Sequence, residues 1–184
     1  MIRNFLFALL ILLAASCSST VKVTSDYDKQ ADFASYKTYA FSQEALKLPI
    51  SDLNRARIIS AIETEMAAKG FTKSESPDIL VDLLLTAEEK VDATATTSGT
   101  GGYYGGYGAM RYGYGGGFTT TSINYEEYIE GTLFINFVDV STQKIVWQGR
   151  GTKTIDEDAN ADKREANINA AVKAIIAEYP PQQK

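Results

Sequence analysis

The sequence predicts an α+β fold: a mainly antiparallel sheet of about five strands with two helices packed on one face, in the order β-β-α-β-β-β-α. Three observations carry this. Residues 51–70 and 161–179 repeat apolar side chains every three to four positions, as amphipathic helices do. Five other stretches are rich in β-branched and aromatic residues and are bounded by polar, Pro or Gly links. Two amphipathic stripes are buried most economically against one shared sheet, so a single domain over residues 21–181 suffices.

Each element follows in turn. Val21–Tyr27 alternates apolar and polar residues, as a half-buried strand does, and Tyr36–Phe41 makes a second strand after the polar link 28–35. Pro49 and Ser51-Asp52 announce a helix, with Ser51 or Asp52 as N-cap and Gly70 at its C-terminal end. Its expected buried stripe is Leu53, Ala56, Ile59, Ile62 and Met66, with Arg55, Glu63 and Lys69 in water. Pro77-Asp78 restarts the chain as Ile79–Leu85, read as a central strand buried on most of both faces and fading into the Thr-rich 91–97. The Thr-rich 119–123 mirrors that exit and leads into a strand over 125–139, with Ile129, Leu133, Ile135 and Phe137 on one phase. The symmetry predicts a long β-hairpin whose polar outer half projects beyond the globular body. A tight link at 140–144 returns the chain into Ile145–Thr152, and a final helix carries Ile168, Val172, Ile175, Ile176 and Tyr179 on one side until Pro180-Pro181 stops it.

Composition excludes several chemistries. The 184 residues contain no histidine, so a Ser-His-Asp triad, a Cys-His pair and an imidazole metal site are all ruled out. A single cysteine cannot form an intrachain disulfide or a CxxC redox pair. A net charge of −5 without a basic run argues against nucleic acid as a partner.

The first residues read as a secretory signal: Arg3 supplies the positive start, and Phe5–Ala15 an apolar stretch too short to span a bilayer. They run into Ala14-Ala15-Ser16-Cys17, which resembles the lipobox of bacterial lipoproteins; Ala14 stands where Leu is usual, with Leu13 one place earlier. The alternative is an ordinary cleaved signal followed by a spare thiol. The resemblance implies a signal peptide over 1–16, a lipidated tether over 17–20, and diacylglycerol plus N-acyl chains (palmitate among them) on Cys17. Such chains contribute ~0.8 kcal/mol per buried CH₂, so two or more anchor a domain to a membrane. Ser18 in place of the Asp retention signal implies an outer-membrane location, and the lack of an acidic cluster after Cys17 favours the periplasmic face.

Residues 98–117 change character abruptly, holding 10 of the 14 glycines and 5 of the 11 tyrosines. A tract of this kind cannot bury enough apolar surface to offset the entropy of ordering glycine, which predicts a flexible loop at the hairpin tip. Tyr103, Tyr104, Tyr107, Tyr112 and Tyr114, with Met110 and Arg111 among them, form a candidate surface for an envelope protein or glycan; the alternative is an insertion tolerated at a loop tip.

Several stretches together resemble a family of bacterial envelope lipoproteins catalogued as domain of unknown function 4136. They are Asp26-Tyr27-Asp28, Asp32-Phe33, Tyr36–Phe41, Pro77–Val81, Gly131-Thr132-Leu133 with Val138-Asp139-Val140, Lys144–Gly149 and Tyr179-Pro180-Pro181. The resemblance spans nearly all of 21–181 outside the Gly/Tyr tract. Phe41 stands where that pattern commonly has Trp, a packing-neutral change. The resemblance implies a lipid-anchored α+β domain without known activity, and no catalytic residue transfers with it.

Other chemistry is weakly signalled. Asp156, Asp158 and Asn160 match the first positions of an EF-hand-like loop, with Asp162 beside them, but Ala161 replaces the turn glycine and Asn167 the bidentate Glu. The alternative is a solvated acidic loop in which Asp158, Asn160 or Asp162 caps the last helix. Asp26, Asp78, Asp82, Glu127, Glu130 and Asp139 lie on strands where two could converge as a hydrolase pair, yet nothing marks a sugar cleft. Asp78 fits a turn after Pro77, Asp139 a hairpin exit, and Trp147 the core. The resulting expectation is a non-enzymatic, lipid-anchored envelope module without cofactor that binds or scaffolds a partner. The alternative is a carrier of a lipid or small apolar ligand, with a carboxylate-dependent hydrolase behind both.

Overall fold

The computed structural model describes residues 21–99 and 119–181. The elements are β1 (Lys22–Tyr27), β2 (Thr38–Phe41), α1 (Gln43–Leu46), α2 (Asp52–Ala68), β3 (Thr72–Lys73), β4 (Ile79–Gly99), β5 (Thr119–Asp139), β6 (Lys144–Thr154) and α3 (Ala161–Ala177). The described residues up to Ala87 and from Glu130 onward form one compact unit, and Glu88–Ile129 form a second. Among the described residues no helix is long and apolar enough to cross a membrane.

The fold is mixed α and β, with a six-stranded sheet in the order β1-β6-β5-β4-β2-β3. β6 is antiparallel to both β1 and β5, whereas β2 runs parallel to β3 and to β4. The expected five strands and two helices are thus corrected to six and three among the described residues, and the sheet is mixed. The reason is the connection: β2 reaches β4 through α1, α2 and β3, a crossover long enough to return the chain in the same direction.

Local chemistry sets the element ends. Ser42 caps α1, its hydroxyl accepting from Ala45 N at 3.0 Å, and Ser51 caps α2 by accepting from Asn54 N. At the other end of α2, Gly70 takes φ 85°, Gly70 N donates to Ala67 O and Phe71 N donates to Met66 O. That is a Schellman closure, which needs a residue at ease in the left-handed region. The peptide before Pro180 is cis.

The buried stripe of α2 is rotated from the expected one. Ile58, Ala61, Ile62 and Met66 are buried, whereas Leu53 is 70% exposed, Ala56 is exposed and Ile59 is only partly buried. Adjacent Ile58 and Ile59 allow either phase, and Arg55 settles it by donating to the carbonyls of Leu48 and Ile50. Arg55, Glu63 and Lys69 are consequently half-buried, with Lys69 Nζ bonded to Tyr179 O and Glu63 paired with Lys73. β4 is likewise covered on one side: Ile79, Val81 and Leu83 are buried, Leu80 and Asp82 partly so, and Leu84 is 51% exposed.

The core lies between the sheet and α2 and α3. Trp147 and Phe137 are fully buried with ring centroids 4.8 Å apart, and Tyr179 stands edge-on to both, at 5.5 and 4.9 Å. Val172, Ile175 and Ile176 of α3 close over them, as the sequence spacing predicts.

In the second unit, residues 91–97 and 121–127 are all exposed, and the Thr97 and Thr121 hydroxyls approach to 3.5 Å. β4 and β5 are consecutive and adjacent in strand order, in keeping with the mirrored Thr-rich arms. β4 continues to Gly99, into the start of the expected 98–117 loop. The rest of that loop, with Tyr103, Tyr104, Tyr107, Tyr112 and Tyr114, lies outside the described residues, as do the 1–16 segment and Cys17.

Candidate functional site

Four of the six candidate carboxylates, Asp26, Asp78, Asp82 and Asp139, accept structural hydrogen bonds. Asp78 accepts from Lys37 N, Thr38 N and the Thr38 hydroxyl, each at 2.8 Å, and so clamps the start of β2 to that of β4. Asp139 accepts from the Ser141 hydroxyl at 2.6 Å and from Thr142 N and the Tyr36 hydroxyl at 2.8 Å, which ties the β5–β6 turn to the loop before β2. Val140 N donates to Asp78 O, so the two clamps adjoin. Asp82 accepts from Ser42, and Asp26 from Tyr27 N. Glu127 belongs to the second unit and Glu130 to the first.

These bonds shift the titrations in one direction. The Ser141 hydroxyl foremost, then Thr142 and Tyr36, holds the Asp139 carboxyl far below the usual range, and the Lys37 and Thr38 donors lower Asp78. A general acid needs the opposite shift. Burial, and for Tyr36 also its bond to Asp139, raises Tyr36 and Tyr39, and burial pushes Tyr179 up to about 12. A lowered folded-state carboxyl adds stability that is complete above its unfolded value of ~4 and is lost as pH falls. The raised tyrosines add stability that is complete below ~10 and is lost as pH rises. Asp139→Asn should therefore destabilise the protein at neutral pH and flatten the stability loss between pH 4 and 2 in urea titrations. An unaltered acid limb would contradict that role.

The acidic loop before α3 is similarly engaged. Asn160 is the helix cap, accepting from Lys163 N at 2.8 Å, and Asp156 pairs with Lys163 Nζ at 2.6 Å. Asp158 and Asp162 are exposed. Among the described residues no group of three or more candidate ligands could hold a metal ion.

A cleft of about 390 Å³ opens between the sheet and α2 and α3. It arises from strand alternation. Leu133, Ile135 and Phe137 on β5 and Trp147, Gly149, Gly151 and Lys153 on β6 share the helix-facing phase, with Leu133 opposite Gly151 and Phe137 opposite Trp147. Ile175 fills the space left by Gly149 and Gly151, whereas at the Lys153 end the row is left uncovered. The apolar lining there is Ile58, Leu85, Leu133, Ile155, Ile168 and Ala171. Polar groups reach in from Lys153, Arg164 and Asn167, with Asn54, Asp156 and Glu157 also present. Such a volume and lining lie within the range of small-molecule sites. None of these residues was among the sequence candidates except Asp156. The local signal that points to the cleft is Lys153, a cation on an otherwise inward-facing phase.

A family model described as domain of unknown function (DUF4136) matches residues 23–181. Among curated proteins, none matches the chain. Among solved structures, a PDZ domain protein from Parabacteroides distasonis is similar with a TM-score of 0.54 and 17% identity, over 89% of this chain and 36% of that one. The chain thus spans about a third of the length of that protein, and the likeness is one of fold. A PelC dodecamer from Paraburkholderia phytofirmans is similar with a TM-score of 0.47 and 11% identity, over 86% of this chain and 96% of that one.

Proposed function

The chain belongs to the DUF4136 family, and from that premise we propose that it is a lipid-anchored cell-envelope module that carries a small apolar ligand in the cleft between its sheet and α2 and α3. The observation that carries this reading is the cleft itself, about 390 Å³ lined by side chains from α2, β4, β5, β6 and α3. An apolar concavity of that size gains roughly 25 cal/mol per Å² of apolar surface covered, so an occupant with little polar surface suits it. The clamped carboxylates Asp78 and Asp139 and the histidine-free composition support binding over turnover. Acyl chains on Cys17 would hold the domain at the outer membrane, facing the periplasm. Carriage takes precedence over scaffolding because the cleft offers an apolar concavity walled by the sheet and two helices.

Native mass spectrometry of the protein purified from its own cells tests the reading. A discrete mass increment beyond the covalent lipid, removed by organic extraction, is the expected result. A bare mass in every preparation would contradict it.

A further inference from the structure

Resting on the cleft as a ligand site, we infer that its occupant is a single-chain amphiphile with an anionic oxygen head, a carboxylate or a phosphate, held by Lys153. Two, four and six residues before Lys153 on the same strand are Gly151, Gly149 and Trp147, all buried toward the helices. The next position on that phase would ordinarily be apolar, and here it carries a half-buried cation. Its Nζ donates to Asn167 Oδ1 at 2.8 Å, a neutral amide. Arg164, on the same cleft, donates to the carbonyls of Glu157 at 3.3 Å and Ala159 at 3.1 Å. Among the described residues neither cation forms an ion pair; Asp156, the acid lining the cleft nearest in sequence to Lys153, is paired with Lys163, and the Glu157 side chain is exposed.

The half-buried Lys153 has one neutral amide oxygen as its hydrogen-bond partner beside apolar walls, and an anionic oxygen would give it a charge-assisted bond. Lysine presents a point charge on a flexible stem, which suits carboxylate and phosphate alike. The volume limits the rest of the ligand. At the ~30 Å³ that a water-sized group takes in a liquid, 390 Å³ holds on the order of a dozen methylene-sized groups, enough for one chain of moderate length.

The test is calorimetric titration of the full chain, stripped of bound lipid, with decanoate, decyl phosphate and decan-1-ol. The expected result is binding of both anions about tenfold tighter than the alcohol. Lys153→Met should erase that preference, bringing both anions to the affinity of the alcohol measured on the same variant, and Lys153→Arg should retain it. Equal affinity for the three ligands would overturn the anionic head while leaving the cleft reading intact. An anion preference that survives Lys153→Met would overturn the assignment to Lys153. Binding of none of the three would overturn the cleft reading, and this inference with it. Preference for one anion over the other would identify the head as carboxylate or phosphate within the proposed class.

Discussion

Gly149→Ala is expected to destabilise the protein by roughly 3 kcal/mol, the upper part of the range for overpacking a core. A Cβ at Gly149 would stand 2.4 Å from Trp147 Cη2 and 2.5 Å from Ile175 Cγ2, well inside contact distance. Neither neighbour can withdraw cheaply. The indole is fully buried between Phe137 and Tyr179, and Ile175 is fully buried on α3, so relief would require the helix to lift from the sheet. At roughly 2–4 °C per kcal/mol for a domain of this size, the melting temperature should fall by about 10 °C. Gly70→Ala provides the contrast: a Cβ there meets nothing within 4 Å, and only the left-handed backbone is penalised, at ~1 kcal/mol. Thermal unfolding followed by the fluorescence of Trp147, the only tryptophan, compares the two. Equal losses would mean that α3 does not pack against β6 as closely as described.

Cys17→Ser is expected to move the protein from the membrane fraction to the soluble periplasm. On the proposed lipidation of Cys17, removing the thiol would remove the attachment point for the acyl chains, and with them the ~0.8 kcal/mol per buried CH₂ that anchoring would rest on. The consequence should be nearly all-or-none in a fractionation assay, since a single weak surface contact does not replace two or more acyl chains. Membrane retention of Cys17→Ser, resistant to salt, would show that another part of the chain supplies the anchor.

What the sequence made legible was whatever is encoded locally and repeated often enough to read. α2 and α3 announce themselves by a 3.6-residue period, a Ser51 cap, the Gly70 closure and Pro180-Pro181. The inward phase of β5 and the core position of Trp147 follow from strand alternation in the same way. α1 and β3, at four and two residues, are too short to show a period. The parallel pairing of β2 with β4 depends on where a crossover lands, and adjacent Ile58 and Ile59 fit two phases of α2, of which the Leu53-Ala56-Ile59 stripe is the wrong one. The cleft was least legible because Leu85, Leu133 and Ile168 meet only through long-range packing. Asp78 and Asp139 were visible as turn formers, but their clamping of the loop before β2 also required the fold.

The carrier reading is tested most directly by comparing the ligand content of the natural protein with that of Ala171→Phe, a substitution on α3 that places a ring in the cleft. Both proteins are taken from the same cells and weighed by native mass spectrometry after their unfolding transitions are matched. A non-covalent ligand mass is expected on the natural protein, with its occupancy reduced at least tenfold on the folded variant. An identical ligand mass and occupancy on both would place the ligand outside the cleft and overturn the carrier function.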